Sequence, residues 1–317
     1  MTINQITGGI LGLAVGDALG VPVEFYSRST LKTNPVVDMR AYGAHYQPQG
    51  TWSDDTSLAM CLAESLVEKQ GFDYQDIGNR FVLWKTKAYW TPHKEVFDIG
   101  NTTRFAISRL FDGKDPLMAG DDDEDSNGNG SLMRILPLAF FLNTYSLNER
   151  FEIVKNVSSI THRHIRSVIC CFYYIEFVLK LLENKDKFLI YRELQTEISL
   201  FLHDKNIKPT EIAKLSRLLK EDISTRSEDE IRSSGYVLHT LEASIWCLLT
   251  SDTYAETVLK AVNLGSDTDT TGAVAGGLAG ILYKEEGIPE LWRRQLVKND
   301  LIRDLAVKVF EKGVEIE

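Results

Sequence analysis

From Leu58 onward, Leu58, Cys61, Leu62 and Leu66 fall at i, i+3, i+4 and i+8, with small Ser65 at i+7 and Gly71 beyond as a stop. That spacing lines one face of a helix with apolar groups. The same period predicts helices over 77–87, 102–111, 150–161, 165–182, 191–202, 211–219, 236–249 and 254–264, whereas strand-like alternation is scarce. In TGAVAGGLAGILY, four glycines (Gly272, Gly276, Gly277 and Gly280) interrupt an apolar helical pattern. Each costs a helix interior about 1 kcal/mol, so tight helix-on-helix packing is the natural reason for them, and a central, closely crossed helix is expected. The apolar run SVICCFYYIEFVLKLL carries Glu176 and Lys180 and falls short of the roughly 20 residues of a membrane span, so it reads as a core helix. No linker or internal repeat divides the chain. The expectation is an all-α fold, one compact multi-helix domain over residues 1–317.

Composition adds limits to this pattern. An apolar share of 44% with 25% charged residues is that of a globular chain with a sizeable core. Thirty-five basic against 45 acidic side chains give a net charge of −10, with the basic residues scattered, which argues against nucleic acid as a partner. An anionic ligand would need its positive charge from metal ions, helix N-termini or backbone N–H groups. Cys61, Cys170, Cys171 and Cys247 sit in apolar runs without C-x-x-C spacing, so buried reduced thiols and a cytoplasmic location are expected. The N-terminus lacks a basic leader region and Asp17 interrupts its apolar stretch, so neither a signal peptide nor a membrane partner is expected.

Two acid-rich stretches stand directly before apolar helical runs. In GTWSDDTSLAM, 50–60, Ser53 reads as an N-cap with Asp54 and Asp55 in the first turn, and helix capping alone explains them. In GSDTDTTG, 265–272, Asp267 and Asp269 alternate with threonines. One helix needs only one capping acceptor, and like charges this close repel unless a cation separates them. Should the two helix starts converge, Ser53, Asp54, Asp55, Asp267, Asp269 and Thr270 would form an oxygen-only donor set, suited to Mg²⁺ or Mn²⁺ before Zn²⁺. Four carboxylates could carry two such ions.

Other stretches keep two readings open. In GLAVGDALGVPVEF, 12–25, Asp17 and Glu24 flank a turn on Gly20 and Pro22, which otherwise reads as a surface turn between helices. In SNGNGSLMRILPL, 126–138, close glycines and asparagines either present N–H groups as an anion nest or form a flexible loop, and there is no P-loop lysine. Asp121, Asp122, Asp123, Glu124 and Asp125 read as a solvated acidic surface. Tyr89 and Trp90 suit either adenine stacking or core cover, with core favoured.

Taken in order, GLAVGDALGVPVE, GTWSDDTSLAM, DIGNTT, GNGSLMR, THRH and GSDTDTTGAVAGGLAG span nearly the whole chain. Together they resemble the ADP-ribosylglycohydrolase family, which includes the dinitrogenase reductase-activating glycohydrolases and the ADP-ribosylarginine hydrolases. The resemblance implies an all-α fold with two Mg²⁺ or Mn²⁺ ions at the bottom of an ADP-ribose cleft. Ser53, Asp54, Asp55 and Asp269 would hold one ion and Asp267, Asp269 and Thr270 the other, with Asp269 shared. Asn127, Gly128, Asn129, Gly130 and Ser131 would wrap the diphosphate, His162 would lie on the ligand side, and Asp98 would face the distal ribose or the leaving group. Asp55 is the first choice for orienting or deprotonating water, and Glu24 the second.

The implied reaction releases ADP-ribose from a modified arginine of a protein substrate, opposing a cognate ADP-ribosyltransferase. Hydrolysis of O-linked ADP-ribose, on serine or as O-acetyl-ADP-ribose, is the alternative within the family. An immunity-type protein that also neutralises such a transferase by binding is the alternative outside it, although residues 1–5 leave little N-terminal extension to act as a plug.

Overall fold

Gly8, Gly12, Gly16 and Gly20 recur every fourth residue and so share one face of the N-terminal helix. In the computed structural model of the protein, which describes residues 1–315, this face lies against Gly280, Gly276 and Gly272 of an antiparallel helix near the C-terminus. A Cβ on Gly8, Gly12 or Gly16 would collide with the carbonyl oxygen of Gly280, Gly276 or Gly272 respectively, and one on Gly20 with the backbone of Asp269. The two backbones touch, which only glycine permits. The expected closely crossed helix is therefore present, and its partner is the N-terminal helix, whose glycine repeat the apolar pattern hides.

In chain order the helices are α1 (Ile3–Gly20), α2 (Arg28–Thr33), α3 (Asp54–Lys69), α4 (Tyr74–Lys87), α5 (Asn101–Phe111), α6 (Leu136–Ala139), α7 (Leu147–Ser159), α8 (Ile165–Leu182), α9 (Lys187–Asp204), α10 (Pro209–Lys214), α11 (Ser216–Leu219), α12 (Val237–Leu249), α13 (Tyr254–Asn263), α14 (Thr268–Gly287), α15 (Glu290–Gln295) and α16 (Asn299–Glu315). Among the described residues there is no β-sheet; isolated bridges join Asp121 to His162 and Gly128 to Tyr236. The α1–α14 pair forms the axis of a single compact helical domain, with α12 and α13 packed on α14 and α16 on α1 and α3. Helix α1 is long and apolar enough to cross a membrane, yet from Gln5 to Gly20 it is buried by its neighbours.

Several expectations shift. The helix expected over 211–219 is two short helices, Pro209–Lys214 and Ser216–Leu219. The turn at Gly20 and Pro22 is no surface feature: it is a buried 3₁₀ turn, Val21–Val23, pressed between α1 and α14. Helix α3 ends at Lys69 with Gln70 left-handed (φ 51°), one residue before the glycine expected to stop it. The acidic run 121–125 is the surface expected, with Asp122–Asp125 exposed, and it also makes ion pairs: Asp121 meets Arg109 at 2.8 Å, Asp122 meets Arg163 at 3.0 Å, and Glu124 meets Arg166 and Lys214 at 2.9 and 3.0 Å. All four cysteines are buried and free.

Candidate active site

Near its C-terminal end α1 carries Asp17, a fully buried carboxylate inside an apolar helix. It accepts the backbone N–H of Ser53 at 2.9 Å, the backbone N–H of Thr56 at 3.0 Å and the Thr56 hydroxyl at 2.6 Å. These N–H groups stand at the start of α3, where a helix leaves its donors without internal partners. Asp17 therefore caps α3 from another helix. Burial pushes its pKa up to about 6 in spite of these hydrogen bonds.

Ser53 is itself the N-cap of α3. Its Oγ accepts from the Asp55 N–H at 3.3 Å and donates to Asp55 Oδ2 at 3.0 Å. With capping supplied by Ser53 and Asp17, Asp54 and Asp55 are not needed to start the helix. The second acid stretch arrives opposite through the glycine contact. Asp267 precedes α14, donating its N–H to Ser233 O at 3.0 Å and accepting from Asn129 Nδ2 at 2.9 Å. Asp269 Oδ1 accepts the Thr270 N–H at 2.9 Å, and Thr270 Oγ1 reaches Asp55 Oδ2 at 3.3 Å. The two helix starts thus converge, which is the condition a shared donor set needed.

Two groups of carboxylates result, with oxygens within 4.8 Å of one another: Asp17, Asp55 and Asp269, and Glu24, Asp267 and Asp269. Asp269 belongs to both. Burial, and secondarily the neighbouring negative charges, push Asp54, Asp55 and Asp269 well above the usual carboxylate range. Among the described residues no lysine or arginine pairs with Asp17, Asp54, Asp55, Asp267 or Asp269 at ion-pair distance. Asp55 Oδ1, Asp267 Oδ1 and Asp269 Oδ2 are buried with no hydrogen-bond partner. Orphaned acceptors of this kind are rare in a folded interior. A hard divalent cation supplies what they lack, and a donor set made only of oxygens fits one.

Above these acids lies a cleft of about 360 Å³, lined by Glu24, Phe25, Asp54, Asp98, residues 99–103, Gly128, Asn129, Gly130, Met133, His162, Gly235, Asp267 and Thr270. Asp55 and Asp269 are fully buried beneath it. The loop 128–130 forms one wall and depends on its glycines: a Cβ on Gly130 would stand 2.7 Å from both His162 Cε1 and Thr103 Oγ1. Arg134, fully buried against the Phe81 ring, donates to Gly130 O and fixes the loop from behind. His162 is held through Nδ1 by Thr161 Oγ1 at 2.8 Å. Burial, with the charge of Arg134, pushes its pKa down to about 3, so it faces the loop as a neutral ring.

Not every residue singled out in the sequence reaches the cleft. Asn127 turns its amide to Glu124 O at 2.9 Å, and the Ser131 hydroxyl accepts from Cys171 Sγ at 3.4 Å; both serve the loop's shape. The Asn129 N–H is committed to Gly235 O at 3.0 Å, which removes one donor from the expected anion nest. Tyr89 donates to Glu64 and Trp90 packs on the core, away from the cleft. Asp98 lines the cleft from a left-handed backbone (φ 51°). Sequence reading missed the role of Asp17, although an aspartate inside an apolar helix is a signal for a buried acceptor. It also missed His45, which contacts Glu24 from a loop without any periodic pattern.

The sequence model of a family described as ADP-ribosylglycohydrolase matches residues 2–316. The protein named ADP-ribosylarginine hydrolase Tri1 from Pseudomonas putida (strain GB-1) is 33% identical over 316 residues, covering 99% of this chain and 80% of the relative. The ADP-ribosyl-[dinitrogen reductase] glycohydrolase of Rhodospirillum rubrum is 28% identical over 298 residues, 92% of this chain and 90% of the relative. A solved structure titled ADP-ribosylglycohydrolase-related protein complex superposes with a TM-score of 0.82 at 31% identity, covering 98% of each chain.

Proposed function

The chain belongs to the ADP-ribosylglycohydrolase family, and from that premise we propose that it hydrolyses the bond between ADP-ribose and a modified arginine of a protein substrate. The observation that carries this reading is the convergence of Ser53–Asp55 with Asp267–Thr270 under a glycine-walled cleft, with three buried carboxylate oxygens lacking partners. The arginine linkage is supported by the names of the Pseudomonas putida and Serratia proteamaculans relatives, 33% and 32% identical. Buried, unpaired thiols fit the proposed cytoplasmic location.

In this reading Ser53, Asp54, Asp55 and Asp269 would hold one cation and Asp267, Asp269 and Thr270 the other. When bound, two Mg²⁺ or Mn²⁺ ions would offset the acidic floor, polarise ribose hydroxyls and acidify water at the reacting carbon. Asp55, anchored by Ser53 and Thr270 beneath the cleft, is placed to orient an attacking water. Gly128, Asn129 and Gly130 with neutral His162 bound the space for the diphosphate, without a charge that would compete for the acids. Glu24 lines the same cleft, and burial together with Asp98 and Asp267 pushes its pKa up to about 10. A guanidine cannot leave as an anion, and Glu24, a carboxyl lining the cleft, is assigned to protonate it.

The test is to incubate the purified protein with Mg²⁺ or Mn²⁺ and arginine-modified protein, serine-modified protein or O-acetyl-ADP-ribose, and to measure released ADP-ribose. Release from the arginine-linked substrate is expected. Release only from the O-linked substrates would replace the linkage, and release from none would overturn the hydrolase reading.

A further inference from the structure

Glu24 lines the cleft with Asp98 and Asp267 beside it, and to act as the proposed proton donor its carboxyl must keep facing the leaving group. Something must hold its carboxyl in place. We infer that His45 is a positioning residue for Glu24, set there by the tight loop 42–47; the inference rests on the glycohydrolase reading.

The loop is fixed to the buried turn that leads into Glu24. Ala44 donates its N–H to Pro22 O at 2.9 Å, and Gly43 lies so close that a Cβ would collide with that carbonyl. The Tyr42 backbone N–H donates to Gln47 O at 2.8 Å and the Tyr46 backbone N–H to Gly43 O at 3.0 Å, with Tyr42 and Tyr46 both in the left-handed region (φ 55° and 54°). Non-glycine residues keep that conformation only where surrounding contacts impose it. The loop is thus closed on itself and pinned to the chain two residues before Glu24.

This places the His45 ring between Phe25 and Phe97, with centroids 5.8 and 5.2 Å away, and its Nε2 on Glu24 Oε2. Both side chains are mostly buried, 15% and 6% exposed. His45, Glu24 and Asp98 have polar atoms within 4.8 Å of one another, and among the described residues His45 is the basic side chain at ion-pair distance from Glu24. A hydrogen bond from a ring clamped on two sides restricts where the Glu24 carboxyl can turn. Without it, the carboxyl is free to turn away from the leaving group.

The experiment compares His45→Gln, which keeps a nitrogen donor near the position of Nε2, with His45→Leu, which keeps the packing and removes the donor. On ADP-ribosylated protein, His45→Leu is expected to lower kcat about tenfold to a hundredfold with KM changed less than about twofold, because a general acid contributes to the chemical step and its misplacement acts there. His45→Gln is expected to recover most of that loss. On a Glu24→Gln background, His45→Leu is expected to cost less than about twofold, since residues acting through one another are not additive. A leucine variant as active as wild type, equal losses in both variants, or a loss confined to KM would overturn the positioning role while leaving the glycohydrolase reading intact. A wild-type chain that turns over no ADP-ribosyl substrate would overturn both.

Discussion

Asp17 Oδ2 accepts the Thr56 hydroxyl at 2.6 Å and the Thr56 N–H at 3.0 Å, so the first turn of α3 is capped by a residue of α1. Because α1 also touches α14 through its glycines, one helix fixes both acid stretches relative to each other. Replacing Asp17 by Ala leaves the Ser53 and Thr56 N–H groups buried and unpartnered, at about 1–3 kcal/mol each. Urea unfolding is expected to show a loss of roughly 2–4 kcal/mol in total. Asp17→Asn, which keeps one acceptor, is expected to lose less.

The glycine contact makes a second, geometric prediction. Gly16→Ala drives a methyl into the Gly272 carbonyl and must spread α1 from α14. A loss of about 1–3 kcal/mol is expected from such overpacking, together with weaker divalent-cation binding, because Asp54 and Asp55, held to α1 through Asp17, move away from Asp269. Calorimetric titration with Mn²⁺ checks the second effect. Unchanged affinity in a destabilised variant would separate the glycine contact from the site.

Much of this was legible in the chain. Helical periodicity located α4, α5, α8, α12 and α13 to within a few residues; α4, α5 and α13 bury one stripe and leave the other more open, while α8 and α12 are buried nearly all round and show as long apolar runs between polar stretches. The paired motifs SDDT and SDTDTT located the acids, since two adjacent carboxylate runs exceed what capping needs. What periodicity could not show was α1, buried on every side and hence without an amphipathic stripe. Nor could it show His45, whose place depends on a carbonyl 23 residues earlier in the chain, at Pro22, and on left-handed residues that carry no apolar pattern. Asn127 and Ser131 share the loop motif with Gly128–Gly130, yet only the structure shows their side chains turned to Glu124 and Cys171.

Removing metal should make stability depend on pH in an unusual direction. Glu24 is raised to about 10, and Asp54, Asp55 and Asp269 are raised well above their usual values. A raised folded pKa stabilises below the unfolded value, and that contribution is lost as pH rises through the folded one. Between pH 7 and pH 9 the metal-free folded state holds more protons than the unfolded chain, so its Tm is expected to fall as pH rises. The depressed His162 acts in the acidic range, below its unfolded pKa near 6.5, and does not enter this window. Saturating Mg²⁺, which binds ionised carboxylates, is expected to raise Tm and to flatten or reverse the slope. A metal-free Tm that rises across this window would contradict the burial of unpaired acids.

Asp269 is shared by both carboxylate groups, so its loss should harm both cation positions at once. Asp269→Ala is expected to abolish turnover and to leave no tightly bound ion, whereas Thr270→Ala should weaken one position and keep the other. Metal content after desalting, measured by mass spectrometry, distinguishes the two variants.

The most direct measurement is anomalous diffraction from crystals grown with Mn²⁺. Two peaks are expected, both within coordination distance of Asp269, one also beside Asp55 and the other beside Asp267. A single peak, or none near Asp269, would contradict a two-cation site built from the starts of α3 and α14.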